Sequence, residues 1–202
     1  MSPALRRGLI TLLAGLLLIG AALVVTYWRL GGLGEGVTDN FAGISIGGPF
    51  ALVDQNGVTR RDTDFRGKLM LVYFGYTFCP DACPTALQAI SGALDKLGDR
   101  AQEVQPIFVT VDPARDTVEQ MKLYASNFHP RLIALTGTGE QIAAAARAYR
   151  VYFEKVKQSG QGDYLVDHSS FVYVMGRDGR YLTHIASDAG PDAMAAALKP
   201  YL

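Results

Sequence analysis

The only two cysteines of the chain fall in one short window, Phe74-Gly-Tyr-Thr-Phe-Cys79-Pro-Asp-Ala-Cys83-Pro84. They follow an apolar run and precede a helical pattern, and Pro80, Asp81 and Pro84 mark a turn, not a core element. Two thiols at such a turn can exchange electrons with another dithiol or hold a soft metal ion. The plainer readings are two small buried hydrophobes or one structural disulfide, and the turn residues on either side argue against both. Pro84 suits the first helical position, which places Cys83 at the N-cap. There the partial positive charge of the helix end would stabilise its thiolate and lower its pKa. Thiolates with imidazole suit copper or zinc, and two cysteines leave at least one ligand to come from elsewhere.

Three histidines are available. His168, in Asp167-His-Ser-Ser170, stands directly before the strand-like run Phe171–Met175. If that run lies antiparallel beside Leu69–Phe74, its start meets the other's end, and His168 falls about 4.8 Å sideways from the cysteine loop. His184 ends the next strand and lies on the order of 10 Å away. It is read as an ordinary surface histidine, as is His129, which precedes Pro130 at a helix end. Asp112 and Asp116, in Val111-Asp-Pro-Ala-Arg-Asp-Thr117, follow another strand at the same sheet end. Either could orient the site; for Asp116 the expectation is a helix N-cap, a role open to Thr117 as well. Tyr73, Tyr76 and Phe78 read as packing residues, with a docking role open to an exposed Tyr76 or Phe78.

The elements that must position these groups are legible from period and punctuation. Phe50–Val53 and Val58-Thr59 flank Asn56-Gly57, a hairpin signal. Leu69–Phe74 is a continuous apolar run, as in a strand covered on both faces. Leu87, Ile90, Leu94 and Leu97 are spaced for a helix over Pro84–Leu97. A strand at Val104–Val111, a helix at Thr117–Phe128, a strand at Leu132–Leu135 and a helix at Gly139–Tyr149 follow. Tyr152–Val156 reads as an edge strand and Ser159–Gly162 as a loop. Phe171–Met175 and Arg180–Ile185 form a hairpin about Gly176–Gly179, and Pro191–Leu198 closes the chain as a helix. Strands alternating with helices predict an α/β sandwich of thioredoxin type, a central mixed sheet flanked by helices.

Arg6 and Arg7 precede Gly8–Trp28, a stretch without a charged residue. About 20 such residues in a helix span a hydrocarbon core of roughly 30 Å. The run is longer than a signal-peptide core of about 7–15 residues and no A-x-A cleavage site follows it. The expectation is an N-terminal transmembrane anchor over 1–30. A Gly-rich tether follows over 31–48, and one soluble domain over 49–202, about 155 residues, enough for a proper core. Only Arg29 balances the leading arginines, so the N-terminus is placed in the cytoplasm. The chain then reads as single-pass in a bacterial inner membrane, with its domain in the periplasm. Nineteen Lys and Arg against nineteen Asp and Glu give zero formal charge, which leaves nucleic-acid binding no basis.

FGYTFCPDACPTAL, TVDPARDT, FHPRLIALTGT and DYLVDHSSFVYVMGRDG, in that order, resemble the SCO/SenC copper-chaperone family over nearly the whole domain. The resemblance implies a thioredoxin-like fold and copper, as Cu(I) and/or Cu(II), held by Cys79, Cys83 and His168. It also implies a part in assembling the binuclear copper centre of cytochrome c oxidase, by delivering copper, by reducing the target's cysteines, or both. The partners would be the copper-site subunit of the oxidase and a thiol reductant protein. The alternative is a thiol-disulfide oxidoreductase in which Cys79 and Cys83 act as redox thiols without a metal-delivery role. Thr77, two residues before Cys79, is only incidentally similar to the threonine of peroxidase-like sites.

Overall fold

The computed structural model describes residues 45–157 and 164–202, together with the isolated helical positions 15, 18 and 20–22. Most of the expected anchor at 1–30 and of the expected tether falls outside those residues. Among the described residues no helix is long and apolar enough to cross a membrane. Ser45–Leu202 forms one compact unit, and Gly47 already donates its N–H to the Ala148 carbonyl at 2.9 Å.

A seven-stranded mixed sheet runs in the order β2-β1-β5-β4-β3-β8-β9. Its strands are β1 (Ala51–Asp54), β2 (Thr59–Arg61), β3 (Leu69–Gly75), β4 (Val104–Thr110), β5 (Ile133–Thr136), β8 (Phe171–Met175) and β9 (Tyr181–Ala186). β3, β4 and β5 are parallel. β8 runs antiparallel to β3, pairing Tyr73 with Val172. Every residue of β3 and β4 is buried, as unbroken apolar runs in parallel strands demand. The β1–β2 turn forms where Asn56-Gly57 predicts it. Gly57 sits at φ 79°, and Asp54 accepts from the N–H groups of Asn56 and Val58 at 2.8 and 3.0 Å.

Among the described residues four α-helices complete the sandwich: α1 (Ala82–Leu97), α2 (Val118–Ala125), α3 (Gly139–Ala148) and α4 (Pro191–Leu198). α1 buries Cys83, Ala86, Leu87, Ile90, Ala93 and Leu94, the stripe that its apolar spacing predicts, and stops at Gly98, where φ is 56°. α2 is shorter than its pattern. Ser126 and Asn127 turn their side chains back onto the carbonyls of Leu123 and Tyr124 at 2.7–3.1 Å, which ends the helix early.

The region after α3 departs from expectation. Phe153–Lys157 (β6) does not join the edge of the main sheet. It pairs with an unexpected strand, Tyr164–His168 (β7), in a separate antiparallel ribbon. His168 therefore ends a strand of its own instead of lying in a loop before β8.

Candidate metal centre

The chain leaves β3 at Gly75 and reaches Cys79 through a loop tied down at Thr77. The Thr77 N–H donates to Asp116 Oδ2 at 3.1 Å and its hydroxyl to Oδ1 at 2.6 Å. The Thr110 hydroxyl donates to Oδ2 at 2.5 Å, and Thr136 donates to the Asp116 carbonyl at 2.7 Å. Asp116 is thus not the cap of α2. Thr117 caps it, accepting from the Gln120 N–H, while the Asp116 carboxylate turns inward to three donors, two on half-buried Thr77 and one on buried Thr110. Desolvation pushes its pKa up, against the hydrogen bonds from Thr110 and Thr77.

α1 begins two residues earlier than Pro84 predicts. Asp81 is the N-cap, so Cys83 lies inside the first turn, with Pro84 after it. The N–H of Cys83 is one of the unpaired donors of a helix start, and it points at Cys79 Sγ, 3.3 Å away. The helix end therefore serves Cys79, which corrects the expectation that Cys83 is the stabilised thiolate. A hydrogen bond from the Cys83 thiol holds Cys79 down at about 4. Partial burial opposes this, and the N–H groups of Asp81 and Cys83 reinforce it. Cys83 is pushed up, first by its contact with Cys79 and then by burial. Cys83 has no solvent exposure, Cys79 is half-buried, and both are free thiols.

His168 stands where the β3–β8 pairing requires. Its Nε2 is 3.4 Å from Cys83 Sγ, and its Nδ1 is 3.0 Å from the Ser169 carbonyl. A carbonyl only accepts, so in the neutral ring Nδ1 carries the proton and Nε2 keeps its lone pair. Tyr73 and Tyr76 meet the ring edge-on, each 6.1 Å between centroids. Tyr76 is buried and so unavailable for docking; Phe78 keeps 48% of its surface exposed. Roughly 2.0 Å to imidazole and 2.3 Å to thiolate, at a near-tetrahedral angle, would place two ligands of one ion about 3.5 Å apart. The Cys83–His168 pair already has that separation. Among the described residues no group of three or more His, Cys, Asp or Glu side chains is yet spaced to enclose an ion. Enclosing an ion between Cys79, Cys83 and His168 would take a further side-chain adjustment.

The other candidates stand apart. The His184 ring bonds the Tyr181 hydroxyl at 2.6 Å and lies 4.8 Å from Phe171. His129 Nδ1 accepts from the Arg131 N–H at 3.2 Å. Asp112 is buried and faces Arg115, Lys155 and Tyr164. Arg115, Tyr164 and Ser169 escape a reading by residue type. The one signal in the chain is for Tyr164: the alternation Tyr164, Val166, His168 marks a short strand with one inward face.

A thioredoxin-like sheet carrying a Cys-x-x-x-Cys turn and an imidazole beside it defines a thiol or metal-handling protein. The SCO1/SenC family profile matches residues 39–202, and the chain belongs to that family. It is similar to the SCO2-like protein of Rickettsia prowazekii, 44% identical over 146 residues, 72% of this chain and 71% of that one. Among solved structures, copper-bound ScoI of Bradyrhizobium japonicum superposes with a TM-score of 0.73 at 47% identity, covering 78% of this chain and all of that one. BsSco, a member of the Sco family of cytochrome c oxidase assembly proteins in which a disulfide switch has been identified, gives a TM-score of 0.61 at 25% identity, covering 77% and 93% of the two chains.

Proposed function

We propose that this protein is a membrane-anchored copper metallochaperone whose cargo is held by Cys79, Cys83 and His168. It would support assembly of the binuclear copper centre of cytochrome c oxidase. The observation that carries this reading is the Cys83–His168 contact of 3.4 Å, with the imidazole held in the tautomer that offers Nε2 as a ligand. The copper-bound state of its relative ScoI supports copper as the ion. The family of assembly proteins to which BsSco belongs supports the copper-site subunit of the oxidase as the target. A disulfide has no thiolate to offer, so only the reduced pair loads.

The same pair supports a second task, reduction of the target's cysteines. Cys79 is the accessible thiolate and Cys83 the sheltered partner behind it. Attack of Cys79 on a target disulfide would give a mixed disulfide. Attack by Cys83 would then release the target dithiol and leave Cys79–Cys83 oxidised, for a thiol reductant protein to restore. The disulfide switch of BsSco favours this as an accompanying activity.

Copper titration of the reduced protein tests the ligand assignment. His168→Ala should weaken binding far more than His184→Ala while leaving the dithiol reducible. Equal losses in the two variants would refute it. Turnover of a disulfide substrate by the metal-free protein tests the reductase activity.

A further inference from the structure

β6 and β7 form a two-stranded ribbon, and a hairpin of that size is marginal by itself in water. What docks it onto the body therefore decides where His168 stands. Alternation puts Tyr164, Val166 and His168 on one face of β7, opposite Lys157, Lys155 and Phe153 of β6. That face is turned inward: Val166 is buried and His168 meets Cys83. The Tyr164 hydroxyl lies 2.8 and 2.9 Å from the two carboxylate oxygens of Asp112. Lys155 Nζ reaches the same carboxylate at 3.3 Å and the Tyr164 hydroxyl at 3.1 Å.

Asp112 has no solvent exposure, and a buried carboxylate is tolerated only with donors around it. Arg115 is the closest of them. Its guanidinium carbon also lies 3.8 Å from the Tyr164 ring centroid, 4.9 Å from that of Phe78 and 5.7 Å from that of Tyr76. Phe78 precedes Cys79, and Tyr164 opens the strand that His168 ends. One guanidinium thus touches both the cysteine loop and the ribbon.

We propose that Asp112, Arg115 and Tyr164 form a clamp that sets the imidazole of His168 against Cys83. Tyr164 and Arg115 are then positioning residues for the metal site, an inference that rests on reading His168 as a ligand. The clamp acts through strand register. With Tyr164 seated on Asp112, four residues of extended chain, about 13 Å, carry His168 to Cys83. A slip of one residue would turn the imidazole away from the sulfur.

The test is copper affinity of the reduced full chain in detergent, by competition with a chromophoric chelator. The variants are Tyr164→Phe, Arg115→Ala, His168→Ala and the double variant Tyr164→Phe/His168→Ala. Tyr164→Phe keeps the ring beneath Arg115 and removes one oxygen, so it carries the test even if Arg115→Ala does not fold. The expected loss is about 10–100-fold, the usual cost of removing a group that orients a ligand. With His168 already replaced, Tyr164→Phe should cost nothing further, because no imidazole remains to be placed. Two affinity results overturn the clamp: a loss that persists in full there, or wild-type affinity in Tyr164→Phe while His168→Ala is weakened. The metal-free reduced protein gives a second readout: the NMR signals of the His168 ring should shift and broaden in Tyr164→Phe, and unchanged signals overturn the clamp. If His168→Ala alone leaves copper affinity intact, the ligand assignment falls instead, and the ring signals then decide the clamp.

Discussion

The two sulfurs are one helical turn apart in sequence but live in different surroundings, and chemistry follows from that difference. Cys79 is half-buried and receives the Cys83 thiol and backbone N–H groups; Cys83 is enclosed. Because the Cys79 shift is downward, to about 4, its thiolate is complete through the neutral range and is lost only as pH falls through that value. The thiolate is the nucleophile. Iodoacetamide should therefore modify Cys79 of the reduced, metal-free protein at a rate flat between about pH 6 and 9, slowing below about pH 5. Cys83 should stay unmodified in the native state. Peptide mass analysis of the product identifies the sulfur. A rate that climbs about tenfold per pH unit across neutrality would contradict the assignment.

The elements meet at the site with little spare room. β3 ends in Gly75, and a Cβ added there would lie 2.8 Å from Cys83 Sγ and 2.9 Å from a Phe108 ring carbon. The glycine is needed for close approach of strand end, helix start and β4, not for an unusual backbone angle. Gly75→Ala should destabilise by about 1–3 kcal/mol through overpacking and weaken copper binding by displacing the sulfur. Urea unfolding and copper titration measure the two effects, and an unchanged unfolding midpoint would show that the seam can open at no cost. On the other side of the loop, Asp116 joins Thr77 to Thr110 and Thr136, so the ends of β4 and β5 set the height of the cysteine loop. The ribbon brings His168, the proposed third ligand, from a long way off in sequence, which leaves its position dependent on how the ribbon is docked.

For the whole molecule, the proposed arrangement is an anchor over 1–30, a tether over 31–48 and a periplasmic domain that works near the membrane. It rests on the uncharged run Gly8–Trp28 behind Arg6 and Arg7, which favours a cytoplasmic N-terminus. Protease added to spheroplasts should then digest the domain, and a domain protected until the cells are lysed would reverse the orientation. A tethered carrier keeps its cargo at a raised effective concentration for a target in the same membrane. Its neutral overall charge is consistent with recognition by local shape and contact, not by a broad electrostatic field.

Local chemistry made much of this readable from the chain. The apolar runs of β3 and β4, the turn at Asn56-Gly57 and the stripe of α1 each follow from interactions a few residues long. So does the pairing of Cys79 with Cys83, and β3 against β8 placed His168 beside them. Tertiary structure decided the rest. Which sulfur is the thiolate depends first on the Cys83 thiol turning to Cys79, and then on the helix start, where Asp81 takes the cap two residues ahead of Cys83. The inward turn of Asp116 depends on hydroxyls from three separate segments. The seating of β7 depends on Asp112 and Arg115, about fifty residues earlier in the chain. A sequence shows what each residue can offer within its own turn or strand. Which distant group accepts the offer is settled only when the sheet closes and buried charges must find partners.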